Sequence, residues 1–423
     1  MGTLKNGDGA ESVNAFRFSL TGLTVFCLCL VTASGALTWK MVGIQPEVLP
    51  GRALGIPDPD EQDKYTFTRQ GPWGELFTQN ISLERPVEYL NDEMKTVQAP
   101  VWTFRGMDVA RVKALFVTNG LTTQEAEKAL APDRVTTRGT DTLFRPSEEF
   151  VFSLRPETRA RLYAPMRGLD VNLCLDWPYY YPRNSIESVF NDPRLHPDDL
   201  VQFKRLVYGG KDAWRFTDFE TLMARIPTPE RRVAMTASLS RQIAVLARLC
   251  IRPDTDIDQV AAYWGQMPNV RFVDGRPMLE ALKRLPKGGT VSLLYLLPPF
   301  ARERLYTYPL PPAPGDPVVD CHWTTFNFSK VKPDNRFSSP AECLRYINEH
   351  FYKVSQPGVY GDVLLFMNDT DKIRHSAVFL ADDLVFTKNG QNYTMPWMIM
   401  RIGDLQAMYS DCNVTYIRRK AGS

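Results

Sequence analysis

Cys321 and His375 are the residues whose types and spacing can do chemistry together. The chain of 423 residues has seven cysteines, at 27, 29, 174, 250, 321, 343 and 412, and four histidines. No CxxC pair or closely spaced cysteine framework is present, which sets aside zinc-ribbon and disulfide-knot readings. Cys321 closes a loop holding five prolines between Pro309 and Pro317, and the residues after it, 322–328, can open a helix. The N-terminus of a helix stabilises a thiolate. His375 opens an apolar run with strand character, so a cysteine on a helix and a histidine on a strand can meet across one small domain. If Ala381, Asp382 and Asp383 make a turn, Leu380 pairs with Leu384 and His375 faces Asn389, with Thr387 one step along the same face. Asn389 can accept the proton on Nδ1 and so orient the imidazole as the third member of a triad. His196 and His350 lie in polar helical contexts, and His322 contacts substrate or caps the helix with equal standing.

The elements that position these residues follow from pattern. Short apolar runs at Val363–Phe366 and Ser376–Leu380, bounded by Gly361-Asp362 and Asp382-Asp383, predict strands joined by turns. The run from Met395 to Met400 predicts a further strand closing the small sheet. Upstream, Thr122 with Glu125 predicts a capping box, and helix starts recur at Pro156-Glu157 and Pro197-Asp198. Apolar residues at helical spacing between Met235 and Leu249 extend this reading to a mainly helical domain over 101–295. The aromatic run Asp176–Tyr181 reads as core.

The N-terminal part has a different character. Residues 18–39 run 22 residues without a charge. At about 1.5 Å per residue that is roughly 33 Å, enough to span a bilayer. Lys5 and Arg17 precede it, so residues 1–17 are expected in the cytoplasm and the rest outside. Small residues at 33–36 offer a cleavage site; the expected location is inner-membrane anchored and facing the periplasm, or secreted if the segment is removed. Residues 40–100, rich in proline and polar groups, read as a linker. A net charge of +2 gives no reason to expect nucleic acid.

Three short stretches carry a resemblance: Asp320-Cys321, Gly361-Asp362-Val363-Leu364-Leu365-Phe366, and His375-Ser376-Ala377-Val378-Phe379-Leu380. In order and spacing they resemble the motifs of the NlpC family of cell-wall cysteine peptidases, over roughly a quarter of the chain. The resemblance implies a papain-like domain over 296–423 that cuts peptidoglycan stem peptides. It implies Cys321 as nucleophile, His375 as base and Thr387 or Asn389 as third member. Tyr308 resembles the family's active-site tyrosine, and Asp320, His322 and Trp323 fall beside the nucleophile. The family usually has small residues after the cysteine, where this chain has His322-Trp323. The expected architecture is therefore α+β: a membrane segment, a helical middle domain whose protein partner is unspecified, and a papain-like C-terminal domain. A cell-wall peptide is the expected substrate, with no metal or organic cofactor required. Two rivals stand beside this reading: an acyltransferase or thioesterase acting on lipid acyl groups, and a non-catalytic envelope binding or scaffold module.

Overall fold

The structure is a computed structural model. It describes residues 66–422, apart from 92–96, 167–170, 173–174, 176–177, 210–212, 268–274 and 411. The expected cytoplasmic N-terminus and membrane segment lie outside the described residues. Among the described residues no helix is long and apolar enough to cross a membrane.

The architecture is mixed α/β, which corrects the expected arrangement of a helical middle domain followed by a separate papain-like domain. Strands β1 (Thr66–Phe67) and β2 (Glu75–Leu83) come first, inside the expected linker. Next, β3 (Trp102–Phe104), β4 (Val135–Arg138) and β5 (Asp141–Phe144) form a small sheet in the order β3-β5-β4. A second small sheet holds β6 (Tyr179–Pro182), β7 (Tyr208–Gly209) and β8 (Ala213–Phe216) in the order β6-β8-β7. Then β9 (Gln242–Ile251) and β10 (Gly289–Ser292) complete a sheet ordered β1-β2-β9-β10.

The expected helix from Met235 to Leu249 divides in two. Thr228 accepts the Arg231 N–H and Pro229 stands in the first turn, so a helix runs Pro229–Leu239. Beyond Ser240 the run Ile243 to Ile251 is apolar on both faces, which fits a buried strand as well as a helix. Pairing decides the matter. Each residue from Gln242 to Cys250 pairs with β2, Leu83↔Gln242 through Glu75↔Cys250, while β10 covers the other edge. Local helix signals elsewhere do appear as expected: Thr123–Ala129 opens with the Thr122/Glu125 capping box, and helices span Pro156–Met166 and Pro197–Leu206. Tyr181, from the aromatic run, is buried with its Oη donating to Leu239 O at 3.0 Å.

The C-terminal sheet is antiparallel throughout. It contains β11 (Phe351–Val354), β12 (Val363–Met367), β13 (Ile373–Ala381), β14 (Leu384–Lys388), β15 (Trp397–Arg401) and β16 (Asn413–Arg419), in the order β11-β16-β12-β13-β14-β15. Between β13 and β14 the turn puts Asp382 at φ 50° and the register shifts, so Ala381 rather than Leu380 pairs with Leu384. One hydrophobic core crosses the expected boundary near residue 295: Leu76, Val245, Trp264 and Phe300 pack with Trp323, Phe386 and Ile399. Buried phenols tie the same parts together. Tyr263 Oη donates to Leu380 O at 2.7 Å and Tyr360 Oη to Leu296 O at 3.1 Å.

Candidate active site around Cys321

The helix Cys321–Asn327 starts where Asp320 accepts the Trp323 N–H at 2.7 Å. This assigns Asp320 to helix capping rather than to substrate. Trp323 is core as well: it is buried against Phe300 at 5.2 Å, with Nε1 donating to Asn335 Oδ1 at 3.3 Å. This bulky side chain therefore fills the space between the helix and the segment before it.

Cys321 is 4 % exposed. The backbone N–H groups of His322 and Ser376 lie toward its sulfur. Those donors favour a thiolate, but burial, and after it the Asp320 carboxylate, outweigh them and push the thiol up to about 12. The group at rest is a neutral thiol, which corrects the expectation that the helix N-terminus makes it a thiolate.

His375 does not partner it. On β13 the pleat sends alternate side chains to opposite faces. Ser376 is the one turned to the cysteine helix: its Oγ lies 3.0 Å from Thr325 Oγ1 and 3.4 Å from Cys321 O. His375, one residue earlier, is fully buried and stacked on Tyr409 at 4.4 Å and 14°, with Phe366 at 5.6 Å. Its Nε2 meets Thr387 Oγ1 at 2.9 Å and its Nδ1 has no partner. Burial holds its pKa well below the usual histidine range, so the ring is neutral. The expected orienting pair is thus half present. Thr387 holds the imidazole, while Asn389 turns Nδ2 to Met400 Sδ at 3.3 Å and leaves Oδ1 unpartnered. Tyr308, which resembles the family's active-site tyrosine, lies near Arg85 and Glu84, with its hydroxyl buried and without a partner among the described residues.

The histidine brought to the thiol is His322. Asp320, Cys321 and His322 each place one donor atom within 4.8 Å of the other two. His322 Nδ1 meets Ser376 Oγ at 2.9 Å, and the Ile373 backbone favours the charged ring. Burial lowers the pKa of the imidazole and the Asp320 charge opposes that. This donor set is chemically apt for a divalent metal. Yet Asp320 Oδ1 is engaged with the Trp323 N–H and His322 Nδ1 with Ser376.

Lys388 completes the cluster. It pairs across the sheet with Trp397, whose Nε1 donates to Thr324 Oγ1 at 3.0 Å, so Lys388 shares the face covered by the cysteine helix. The side chain is fully buried, and Nζ donates to Gly390 O at 2.8 Å and Asn392 O at 2.9 Å. Burial lowers its pKa from 10.5 to about 8, with the Cys321 and Asp320 charges pulling the other way. Sequence reasoning missed Ser376 and Lys388; the available signal was their even-numbered positions on a hairpin whose odd positions had been taken for the site. Lys388→Met gives a testable pH dependence. Between pH 8 and 10.5 the unfolded chain holds a proton that the folded chain has released. Wild-type stability should therefore rise relative to the variant across that window, by about 3 kcal/mol. Urea titrations of both proteins at several pH values measure this, and a flat difference would show that the ammonium is not desolvated.

Comparison of the chain with protein-family models, curated sequences and solved structures returns no match. The resemblance to the NlpC family thus rests on its three short motifs.

Proposed function

We propose that the chain is a thiol hydrolase that cleaves an amide bond, with peptidoglycan stem peptides as substrate and hence a place outside the cytoplasm. One observation carries the reading: Cys321 starts a helix, and one donor atom each of His322 and Asp320 lies within 4.8 Å of its sulfur. In this mechanism the neutral thiol loses its proton to the ring nitrogen of His322 that Ser376 does not engage as sulfur attacks the carbonyl carbon. Backbone N–H groups at the helix start and the buried Lys388 ammonium oppose the developing negative charge. His322 then returns the proton to the leaving amine, and water cleaves the thioester. His375 is held by Thr387 on the other face of β13 and takes no part in the proton transfer.

The test is digestion of purified peptidoglycan and soluble stem peptides by the full chain, followed by release of new amines. Cys321→Ala is expected to abolish release, and His322→Ala to reduce kcat by about 100-fold or more. His375→Ala should cost less than His322→Ala; the reverse order would return the role of base to His375. A second reading, a non-catalytic binding module, is favoured by the 4 % exposure of the cysteine. Absence of amine release from every peptide by the wild-type chain would select it.

A further inference from the structure

We propose that the cavity between the helix Pro340–His350, the C-terminal end of the cysteine helix and strand β16 binds a small carboxylate carried on an aromatic body. The proposal stands apart from the thiol chemistry, because Cys321 does not line the cavity. Its volume is about 270 Å³, below the roughly 300–1,000 Å³ of pockets for drug-sized ligands, so the occupant is the size of one amino acid. Phe328, Tyr346, Phe351 and Tyr360 form much of the wall. Their rings already meet edge-on, Phe328 with Tyr360 at 5.9 Å and Tyr346 with Phe351 at 5.8 Å, a lining suited to a further flat ring.

Charge selects the other end of the ligand. Asp362 is the one carboxylate among the described residues of this wall, and it is spent on Arg418, whose Nε and Nη2 each donate to it at 2.8 Å, and on the N–H groups of Gly358 and Val359. Arg419, the next residue on β16, has no carboxylate among the described residues. Its Nη2 donates to Tyr346 Oη at 3.0 Å, and its Nε–H is buried with no acceptor among the described residues. Arg419 thus brings to the cavity wall a guanidinium with no carboxylate partner among the described residues, and a carboxylate is the group that a guanidinium recognises best. The Lys420 Nζ, bonded to the carbonyls of Asn348 and Glu349, adds positive charge at the rim.

The experiment titrates the full chain calorimetrically with three matched probes: 3-phenylpropionate, its neutral analogue 3-phenylpropanol, and propionate, which lacks the ring. Saturable binding of 3-phenylpropionate, at least tenfold tighter than either control, is expected. Arg419→Met should weaken it at least tenfold. A readout independent of any variant is modification of Arg419 by phenylglyoxal in the wild-type chain, which 3-phenylpropionate should slow and 3-phenylpropanol should not. No saturable binding, equal binding of the three probes, or unprotected Arg419 overturns the proposal.

Discussion

Iodoacetamide at pH 8 should alkylate Cys321 of the folded chain at least about thirtyfold more slowly than a free cysteine. Raising the thiol from 9.0 to about 12 lowers its thiolate population at that pH about a thousandfold. A more basic thiolate is a better nucleophile, which returns a factor of roughly 20–30. Burial of the sulfur slows the reaction further. Cys250 and Cys343, also pushed up to about 12, serve as internal comparators, while the less buried Cys412 should react sooner. Site-resolved mass spectrometry of a labelling time course measures all four. The result bears on mechanism as well as on reactivity. Under the proposed function, a site that holds no thiolate at rest must move the proton during attack, which requires a base on the cysteine's own face of the sheet, and His322 is the group proposed for it. Rapid labelling of Cys321 well below pH 8.5, slowed by His375→Ala, would instead establish a resting ion pair with His375 and overturn this account.

How much of this was legible in the sequence depends on the range over which each signal acts. The hairpin was readable because Gly361-Asp362 and Asp382-Asp383 bracket its apolar runs, and strands β12, β13 and β14 fall there. Cys321 at a helix start was readable from the proline-rich loop before it. The face of the sheet on which that helix lies is a tertiary fact that no local pattern records. Because strand side chains alternate, a wrong choice of face exchanges His375, Thr387 and Asn389 for Ser376 and Lys388 as a set. Strand β2 shows a second limit. Glu75, Thr78, Gln79, Asn80 and Ser82 look like linker, yet every residue from Glu75 to Leu83 pairs with β9. Partners more than 150 positions away decide the structure of that segment. The same long-range pairing turned the apolar stretch after Ser240 from helix to strand.

Arg159→Met is expected to destabilise the fold by about 3–5 kcal/mol above pH 6, with a smaller loss in acid. Arg159 is fully buried, its Nε 2.9 Å from Asp218 Oδ2, with Nη1 and Nη2 donating to Arg205 O and Val151 O. The contact is close but poorly aligned for a hydrogen bond, and Tyr163 Oη donates to the other carboxylate oxygen at 2.6 Å. Burial raises Asp218 from 3.8 to about 6 even with the guanidinium beside it, so desolvation exceeds the attraction. The sign of the pH dependence follows. Between pH 3.8 and 6 the folded chain binds more protons at this site than the unfolded chain, so the stability that Asp218 lends is complete in acid and lost as pH rises through 6. Removing Arg159 leaves a carboxylate that can escape by taking up a proton, and the variant recovers in acid. Asp218→Asn leaves a guanidinium that cannot lose its charge, so its cost should persist from pH 7 down to pH 4. Denaturant titrations of the wild type and both single variants at pH 4 and pH 7 separate the two cases. Equal acid recovery of both variants would show that the buried pair is not the source of the pH dependence.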